Sequence, residues 1–316
     1  MASMTRPILT VTLNPALDLS ARVATMSAGP KLRLSAPRYE PGGGGVNVAR
    51  AIQRLGGAPT AWVAHGGANG TQHRALLEAQ GVEVQSFAGP GETRQNWAIT
   101  DDSGAQYRLQ LPGAEWDARV AEDALDDILT HARDLVVLSG SQPPGLCAGF
   151  PQRLIAKLGQ GRVIIDTSGA ALDQLAHHPQ PGARPFLLRL DQAEAEALAG
   201  HALDTAPDTA TFAQALIARG VAEMVCLARG ADGSVLAGPD GTYHSRPPQV
   251  AVASKVGAGD SFTGAFTLAI AQGEPPEQAL RHGTAAAAAA VMTEGTELCR
   301  AADVEKLLPE CSLTTF

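Results

Sequence analysis

Two glycine-rich segments, far apart in the chain, carry residue types that could perform chemistry on an anion. Residues 41–52 read PGGGGVNVARAI and residues 256–266 read VGAGDSFTGAF, and both pass from bare backbone into an apolar pattern typical of a helix. The start of a helix has unpaired backbone N–H groups and a partial positive charge, which favour an oxyanion or a phosphate. Asp260 adds a carboxylate at the second helix start, where it could remove a proton from a substrate hydroxyl.

Each segment also has a simpler structural interpretation. A run such as residues 42–45 is commonly a flexible turn, and Asp260 could be an ordinary helix N-cap. The first run leads directly into residues 46–52, whose helical pattern holds its backbone in place. Neither segment matches the P-loop pattern or the GxGxxG pattern of dinucleotide-binding proteins, so neither motif applies.

Composition excludes several classes of protein. With 316 residues, 45% of them hydrophobic and 18% charged, the sequence is typical of a soluble globular chain of one large domain or two ordinary ones. The four cysteines are scattered without a CxxC pair, which indicates reduced thiols and argues against zinc. The net charge of −8 disfavours nucleic acid, and no segment is typical of a signal peptide or a membrane span. We therefore expect a cytoplasmic protein without nucleic-acid or membrane partners.

Apolar, β-rich runs alternate with helical patterns along most of the chain. The predicted strands are residues 8–13, 60–63, 135–138, 163–165, 186–190 and 224–227. The predicted helices are residues 46–55, 71–79, 119–130, 151–158, 171–176, 192–199 and 211–219, and residues 260–308 are almost all helical. Continuous apolar strands that alternate with helices predict a parallel sheet covered by helices on both faces.

Two stretches interrupt this alternation, at residues 31–40 and 93–111. Both alternate polar and apolar residues, and the DDSG sequence at 101–104 is typical of a hairpin turn. They predict a small antiparallel sheet that stands off the main one and, because it adjoins the first glycine segment, forms a lid over a site. We expect one α/β domain over residues 1–316, with a β lid formed by segments near 14–40 and 92–112.

The two glycine segments together resemble the signatures of the ribokinase-like carbohydrate kinases, the phosphofructokinase B family. Residues 41–57 are similar to the N-terminal signature of that family, and residues 256–264 are similar to its C-terminal signature. Five further segments resemble the sugar-phosphate branch of the family, and they are most similar to the B-type 6-phosphofructokinases of bacteria. They are TLNPALD (12–18), KLR (31–33), TRQN (93–96), SGSQPPG (139–145) and GTELC (295–299). The resemblance implies a three-layer α/β/α sandwich with a mostly parallel central sheet and a small antiparallel β lid.

The resemblance also implies a reaction, the transfer of the ATP γ-phosphoryl group to the 1-hydroxyl of fructose 6-phosphate, which gives fructose 1,6-bisphosphate. Asp260 is similar to the catalytic base of the family. Gly257, Ala258 and Gly259 would donate N–H groups to the charge that develops on the transferred phosphoryl group.

Several residues match positions that bind the sugar phosphate in the family. They are Asp18, Gly43, Gly44, Asn47, Arg94 and Ser141. Asp18 would bind sugar hydroxyls and Arg94 the phosphate, although a surface salt bridge is the simpler interpretation of both. Lys31 and Arg33 fall in the predicted lid, where they could reach a phosphate, including one bound in a partner subunit, or form a solvated edge.

The nucleotide side departs from the pattern Lys-Pro-Asn-x-x-Glu that is frequent in the family, because residues 189–194 read RLDQAE. Glu194 is expected to order a water molecule on Mg²⁺, and Asp191 adds a negative charge near that metal. Arg189 replaces a lysine that contacts ATP phosphates.

Residues 228–233, ARGADG, resemble the ATP loop of the family. Ala228 stands where serine is usual, whereas Gly230 and Gly233 follow the pattern. Lys255 precedes the second signature and is a further departure. We hypothesise that Lys255 replaces part of the lost positive charge over the ATP phosphates.

The resemblance therefore implies ATP and Mg²⁺, with K⁺ as a further cofactor that some relatives use, and a phosphorylated ketohexose as acceptor. Arg94, Lys31 and Arg33 favour a phosphosugar but do not choose among fructose 6-phosphate, fructose 1-phosphate and tagatose 6-phosphate. A catalytically weak sugar-phosphate sensor is an alternative that the altered nucleotide side suggests and the intact segment 257–260 opposes. An exposed lid edge predicts a homodimer formed through the lid.

Overall fold

The computed structural model of the chain describes residues 5–29, 31–159, 162–293, 295 and 297–316. Thr296, part of one segment that resembles the family, lies outside these residues. The strands of the described part are β1 (Ile8–Thr12), β2 (Ala16–Val23), β3 (Arg38–Gly42), β4 (Thr60–His65), β5 (Glu83–Ala88), β6 (Arg94–Asp101), β7 (Gln106–Gln110), β8 (Leu135–Ser139), β9 (Arg162–Asp166), β10 (Leu187–Leu190), β11 (Met224–Ala228), β12 (Ser234–Gly238), β13 (Gly241–Arg246) and β14 (Ser312–Thr315). The α-helices there are α1 (Gly44–Arg54), α2 (Gly67–Glu78), α3 (Ala118–His131), α4 (Phe150–Leu158), α5 (Ala170–His177), α6 (Gln192–Ala199), α7 (Ala206–Ala218), α8 (Ala258–Ala271), α9 (Pro276–Val291) and α10 (Ala301–Leu307).

The large sheet has the strand order β14-β13-β12-β11-β10-β9-β8-β1-β4-β5. The strands from β11 to β5 in this order pair in parallel, whereas β12, β13 and β14 extend one edge with antiparallel pairs. All six strands predicted from apolar runs are present, as β1, β4, β8, β9, β10 and β11. The sheet is therefore mostly parallel, as the sequence predicts.

Side chains from successive strand residues pack against opposite layers of helices, because strand side chains alternate between faces. In β8, Val136 and Leu138 belong to the core formed with α3 to α7. Leu135 and Val137 belong to the core formed with α1, α8 and α9. The molecule is thus a three-layer α/β/α sandwich, which confirms the predicted fold class.

A second sheet, ordered β3-β2-β6-β7, is the small sheet that the sequence predicts as a lid. The outer pairs β2–β3 and β6–β7 are antiparallel, whereas the central pair β2–β6 runs parallel. Along the chain, strand β3 of this sheet ends at Gly42, and helix α1 begins at Gly44. Leu109 of β7 and Tyr39 of β3, the two edge strands, are exposed.

The carboxyl ends of the parallel strands all lie along one edge of the large sheet. In open α/β sheets that edge is where ligands bind. The residues that follow β1, β8, β9, β10 and β11 therefore share this edge with the starts of α1 and α8. Among the described residues, no helix combines the length and the apolar character that crossing a bilayer requires.

Candidate active site

The second glycine segment forms the start of α8. Gly257 caps the helix in the left-handed conformation, with φ of 76°, and the first intrahelical bond runs from Ser261 N–H to the Gly257 carbonyl (2.8 Å). The N–H groups of Gly257, Ala258, Gly259 and Asp260 consequently have no partner within the helix. This turn presents a cluster of backbone donors suited to a phosphoryl group.

Asp260 contacts the first glycine segment directly. The side-chain amide of Asn47, in the first turn of α1, donates a hydrogen bond to Asp260 Oδ2 at 2.9 Å. The carbonyl oxygen of the same amide accepts a hydrogen bond from Arg50 Nη1 at 3.0 Å, which fixes which side of the amide faces Asp260. The structure therefore brings the two glycine segments together around one carboxylate.

The surroundings of Asp260 make it a weaker acid than an ordinary aspartate. Burial, followed by the nearby Asp166 carboxylate, raises the pKa of Asp260 to about 7, against the lowering effects of the Asn47 bond and of Arg189 and Arg50. A carboxylate with a pKa near neutrality can accept a proton in one step and release it in the next. This position and pKa are what a general base requires.

Asp166 is a site residue that the sequence analysis did not single out. It is the last residue of β9, and it accepts a hydrogen bond from Thr263 of α8 (2.9 Å) and contacts Arg189 of β10 (3.4 Å). The available signal was its position, since the predicted strand at 163–165 ends just before it. A carboxylate at the carboxyl end of a parallel strand is a candidate site residue on topology alone.

The backbone of the first glycine segment passes very close to the strand ends. A Cβ atom on Gly44 would lie 2.5 Å from the backbone nitrogen of Gly140, which follows β8. Gly43 adopts φ of 117°, a conformation that residues with side chains rarely take. Only glycine fits these two positions, so the run is a fixed turn rather than a flexible one.

The turn also faces Asp18 of β2. A Cβ on Gly42 would lie 2.1 Å from Asp18 Oδ2, and the other carboxylate oxygen accepts a hydrogen bond from Asn96 at 2.9 Å. Burial raises the pKa of Asp18 to about 6, although the Asn96 bond and the guanidinium groups of Arg50 and Arg94 lower it. Asp18 is therefore a partly buried hydrogen-bonding group beside the glycine turn, not half of a surface salt bridge.

Arg94 opens β6, directly opposite Ala16 in the small sheet. Its Nη1 donates to the carbonyl of Leu111 (3.3 Å), whereas its Nε is buried without a hydrogen-bond partner among the described residues. Burial lowers the pKa of Arg94, and the charge of Asp18 opposes that effect. A partly buried guanidinium with a buried, unused donor suits an anionic ligand.

The remaining predicted sugar-side residues differ in how close they lie to this group. Ser141 follows β8, and its hydroxyl accepts a hydrogen bond from Asn14 at 3.3 Å. Asn14 itself lies two residues after the end of β1 and was not singled out from the sequence. Lys31 and Arg33 lie exposed in the segment before β3. Within one chain they do not complete the site.

On the nucleotide side, Arg189 lies against the start of α8. A Cβ on Gly259 would lie 2.8 Å from Arg189 Nη1, so the guanidinium covers that turn of backbone. The Nε of Arg189 is buried and has no hydrogen-bond partner in the described part of the chain. Lys255, by contrast, is exposed in the loop before α8.

The loop that resembles the ATP loop follows β11. Ala228 ends that strand, and Gly230 and Gly233 take φ of 57° and 86° in the turn. The side chain of Arg229 donates to the carbonyls of Leu203 (2.8 Å) and Asp204 (2.9 Å) and lies 3.9 Å from the Asp232 carboxylate of the same turn. Arg229 therefore anchors this loop to the segment before α7.

Asp191 and Glu194 cap the start of α6 reciprocally. Asp191 Oδ1 accepts from the Glu194 amide (2.8 Å), and Glu194 Oε2 accepts from the Asp191 amide (2.9 Å), which leaves one oxygen of each carboxylate available. Burial raises the pKa of Glu194, and the negative charges of Asp191 and Asp166 act in the same direction. A nearby cation would relieve this repulsion, so the pair fits Mg²⁺, which usually binds through one or two carboxylates, water and phosphate. Among the described residues, no group of three or more His, Cys, Asp or Glu side chains could hold a metal by itself.

The sequence profile described as pfkB family carbohydrate kinase matches residues 12–303. The chain belongs to the pfkB family of carbohydrate kinases. This match confirms the family expected from the two glycine signatures, and with it a carbohydrate kinase that uses ATP.

Several relatives of this pfkB kinase are similar over most of their length. The chain is 36% identical to the ATP-dependent 6-phosphofructokinase isozyme 2 of Mycobacterium tuberculosis, over 95% of this chain and 88% of the relative. It is 37% identical to the enzyme of the same name from Escherichia coli, over 95% of this chain and 97% of the relative. It is also 32% identical to the 1-phosphofructokinase of Xanthomonas campestris, over 84% of this chain and 85% of the relative.

Solved structures agree with the fold of this pfkB kinase. Phosphofructokinase-2 from Escherichia coli in complex with potassium superposes with a TM-score of 0.89 at 36% identity, over 96% of this chain and 99% of the other. The same enzyme with fructose-6-phosphate gives a TM-score of 0.87 at 35% identity and the same coverage. Ribokinase from Thermotoga maritima shares the fold alone, with a TM-score of 0.72 at 21% identity over 96% of this chain and 99% of the other.

Proposed function

We propose that this kinase transfers the γ-phosphoryl group of ATP to the 1-hydroxyl of fructose 6-phosphate. The observation that carries the proposal is the carboxylate of Asp260, which has a pKa of about 7 and lies 2.9 Å from Asn47 at a helix start whose first amides have no partner within the helix. The two relatives with the higher identities quoted above are named 6-phosphofructokinase, which favours fructose 6-phosphate as acceptor.

In the proposed mechanism, the sugar lies between the glycine turn and Asp18, with its own phosphate on Arg94. Asp260 accepts the proton of the 1-hydroxyl as that oxygen attacks the γ-phosphorus, and ADP leaves on the opposite side. The amides of Gly257, Ala258 and Gly259 donate to the charge on the transferred group. Positioning and electrostatic stabilisation of this kind account for most catalysis of phosphoryl transfer.

Arg189 and the carboxylates beside it would bind the triphosphate end of ATP. Its buried Nε has no hydrogen-bond partner among the described residues, and its guanidinium already faces the amides of α8. Asp191 and Glu194 would hold Mg²⁺ through water, and the metal would supply positive charge to the phosphates when bound. The loop of Ala228, Gly230 and Gly233 would contact the nucleotide.

A 1-phosphofructokinase activity is the second candidate, because relatives with that name are similar over most of this chain. Release of ADP by the purified protein, measured with fructose 6-phosphate, fructose 1-phosphate, tagatose 6-phosphate and unphosphorylated fructose, separates the candidates. We expect the highest kcat/KM with fructose 6-phosphate. Preference for fructose 1-phosphate or tagatose 6-phosphate would replace the proposed substrate, and binding without turnover would indicate a sensor.

We also propose that the protein forms a homodimer through the lid sheet. Leu109, Leu111, Tyr39 and Leu34 are exposed apolar side chains on or beside its edge strands. A solved form of the Escherichia coli enzyme is described as tetrameric, so relatives do associate. In a dimer, Lys31 or Arg33 of one subunit could approach the phosphate in the other. Light scattering should give twice the chain mass, and Leu109→Glu should give the monomer.

For potassium, the proposal rests on the Escherichia coli enzyme, which was solved in complex with that ion. We expect turnover at constant ionic strength to be higher in potassium chloride than in choline chloride. Equal turnover in the two salts would remove potassium from the proposed cofactors.

A further inference from the structure

A chain of hydrogen bonds between side chains runs beneath the first glycine segment. His65, the last residue of β4, contacts the Ser86 hydroxyl through Nδ1 (2.7 Å) and Nδ1 of His73 through Nε2 (2.9 Å). His73, in α2, contacts the carbonyl oxygen of Gly42 through its Nε2 (2.9 Å). His73 is fully buried and His65 is 8% exposed, so water does not compete for the bond between the two rings or for the bond to Gly42. Ser86, on the edge strand β5, is exposed.

The carbonyl at one end fixes the direction of every bond in the chain. Because a carbonyl oxygen only accepts, His73 must carry its proton on Nε2, and its Nδ1 must accept from His65. His65 then carries its own proton on Nε2, and its Nδ1 accepts from the Ser86 hydroxyl. Burial lowers the pKa of His73 to about 4, opposed by the bond to Gly42 and aided by the charge of Arg50. Burial, the neighbouring His73 and the charge of Arg74 lower the pKa of His65 to about 3. Both rings are therefore neutral at pH 7, as this arrangement requires.

The Gly42 carbonyl belongs to the part of the backbone that faces Asp18. Gly42 lies in contact with the Asp18 carboxylate, and Gly43 follows it with φ of 117°. The preceding carbonyl, of Pro41, accepts from Arg50 Nη1 at 3.0 Å. Two consecutive carbonyls at the entry to the turn are thus held by buried side-chain donors, one from α1 and one from α2.

We propose that His73 is a positioning residue for the sugar, and that His65 and Ser86 fix the tautomer in which it acts. Together with the pairing of Gly42 and Ala16 between β3 and β2, the bond from His73 to the Gly42 carbonyl sets the separation between the glycine turn and Asp18, where the proposed function places the sugar hydroxyls. The inference rests on that function for the identity of the ligand. Loss of the donor would remove the side-chain bond to this carbonyl, leave the turn held there only by the pairing of Gly42 with Ala16, and let it shift, which weakens sugar binding. The nucleotide residues lie on other elements and would be unaffected.

The experiment compares His73→Leu with His73→Gln. We expect His73→Leu to raise the KM for fructose 6-phosphate about tenfold, the equivalent of one buried hydrogen bond. The KM for MgATP should stay within about twofold, the uncertainty expected when no contact is lost. The glutamine amide can place an N–H near the position of Nε2, so His73→Gln should restore most of the sugar affinity.

Leu77→Ala is the matched control, because Leu77 is a fully buried residue of the same helix and is not part of the hydrogen-bond chain. It should lower the melting temperature through lost packing while leaving the two KM values in their wild-type ratio. If His73→Leu behaves in the same way as Leu77→Ala, or changes both KM values equally, His73 is merely structural and the proposal is wrong.

Two further measurements separate this proposal from the proposed function. Calorimetric binding of fructose 6-phosphate without ATP should weaken by the same factor in His73→Leu, whether or not the wild-type protein turns over. Nitrogen-15 spectra of the wild-type histidine rings should show both His65 and His73 neutral and protonated on Nε2 at pH 6. A charged ring or an Nδ1–H tautomer at His73 would overturn the proposal. Absence of turnover with sugar binding retained would overturn only the proposed function.

Discussion

The side-chain amide of Asn47 donates a hydrogen bond of 2.9 Å to the carboxylate of Asp260, across 213 residues of sequence. This bond joins the first turns of α1 and α8, which begin at the same edge of the large sheet. It places the proposed base beside the backbone that would hold the sugar. The proposed roles of the other residues depend on this juxtaposition.

The pH dependence of kcat/KM should report the proton on Asp260. Activity requires the carboxylate, so we expect it to fall as pH falls through about 7, the pKa of Asp260. Asp166→Asn removes a charge that raises this pKa, so the acid limb should move to lower pH. Asn47→Ala removes a bond that lowers it, so the limb should move to higher pH.

Profiles of kcat/KM for fructose 6-phosphate between pH 5.5 and 9 test this prediction. The pH at which activity falls can be compared between variants even when their maximal activities differ. Shifts in the same direction for both variants would be inconsistent with Asp260 as the titrating group.

Binding of the phosphate group of the sugar should depend on Arg94. Arg94→Ala removes the guanidinium whose buried Nε has no partner in the described part of the chain, so the KM for fructose 6-phosphate should rise about ten- to a hundredfold. The KM for MgATP should change far less. Arg94→Lys keeps the charge but loses the planar fork, so we expect an intermediate KM. Steady-state kinetics with each substrate varied in turn provide the comparison, and equal effects on both KM values would contradict the assignment.

Lys255 is the departure from the family pattern that is simplest to test, because its side chain is exposed and its removal should not disturb packing. Lys255→Met should raise the KM for MgATP by about two- to fivefold, the effect of one exposed charge, and more at low ionic strength. Lys306→Met, on the surface of α10, is a control for loss of an exposed lysine. An unchanged KM for MgATP would show that Lys255 does not compensate for the altered nucleotide side.

The raised pKa of Asp260 should also make the stability of the folded protein depend on pH. Its pKa is raised in the folded protein from 3.8 to about 7, so the folded state binds its proton more tightly than the unfolded state does. The stability associated with this group is therefore lost as pH rises from about 4 to about 7, and it stays lost above that range. Asparagine does not ionise, so Asp260→Asn should gain melting temperature relative to wild type across this window. A difference in melting temperature that does not vary between pH 4 and 8 would argue against the raised pKa.

The layered fold could be predicted from the sequence because its central strands are buried on both faces. Continuous apolar runs such as Leu135–Ser139 are a strong signal, and every strand expected from such a run is present. Strands β5 and β12 to β14 were not predicted. β5 and β14 are edge strands with many half-exposed or exposed residues, and they resemble loops when only the sequence is considered.

Site residues could be predicted from the sequence where they lie in a glycine run or at a helix start. Those that reach the site only through packing between distant segments could not. Asp260, Asn47 and the glycine turn lie in local motifs. Arg50 looks like a surface residue of a helix, yet it is 2% exposed, because the small sheet covers it. His73 is similar, since its role depends on a carbonyl of β3, which only the folded chain brings close to α2. Contacts between distant segments of this kind have no signature in sequence spacing.

The turnover of Asp260→Asn is the most direct test of the central claim that this carboxylate accepts the proton of the sugar hydroxyl. Asparagine keeps the size and polarity of the side chain but cannot accept the proton. We predict that kcat with fructose 6-phosphate falls about a thousandfold, within the range expected for loss of a general base, while calorimetry shows nearly unchanged binding of the sugar. A kcat within tenfold of the wild type, in a protein that binds the sugar normally, would contradict the account.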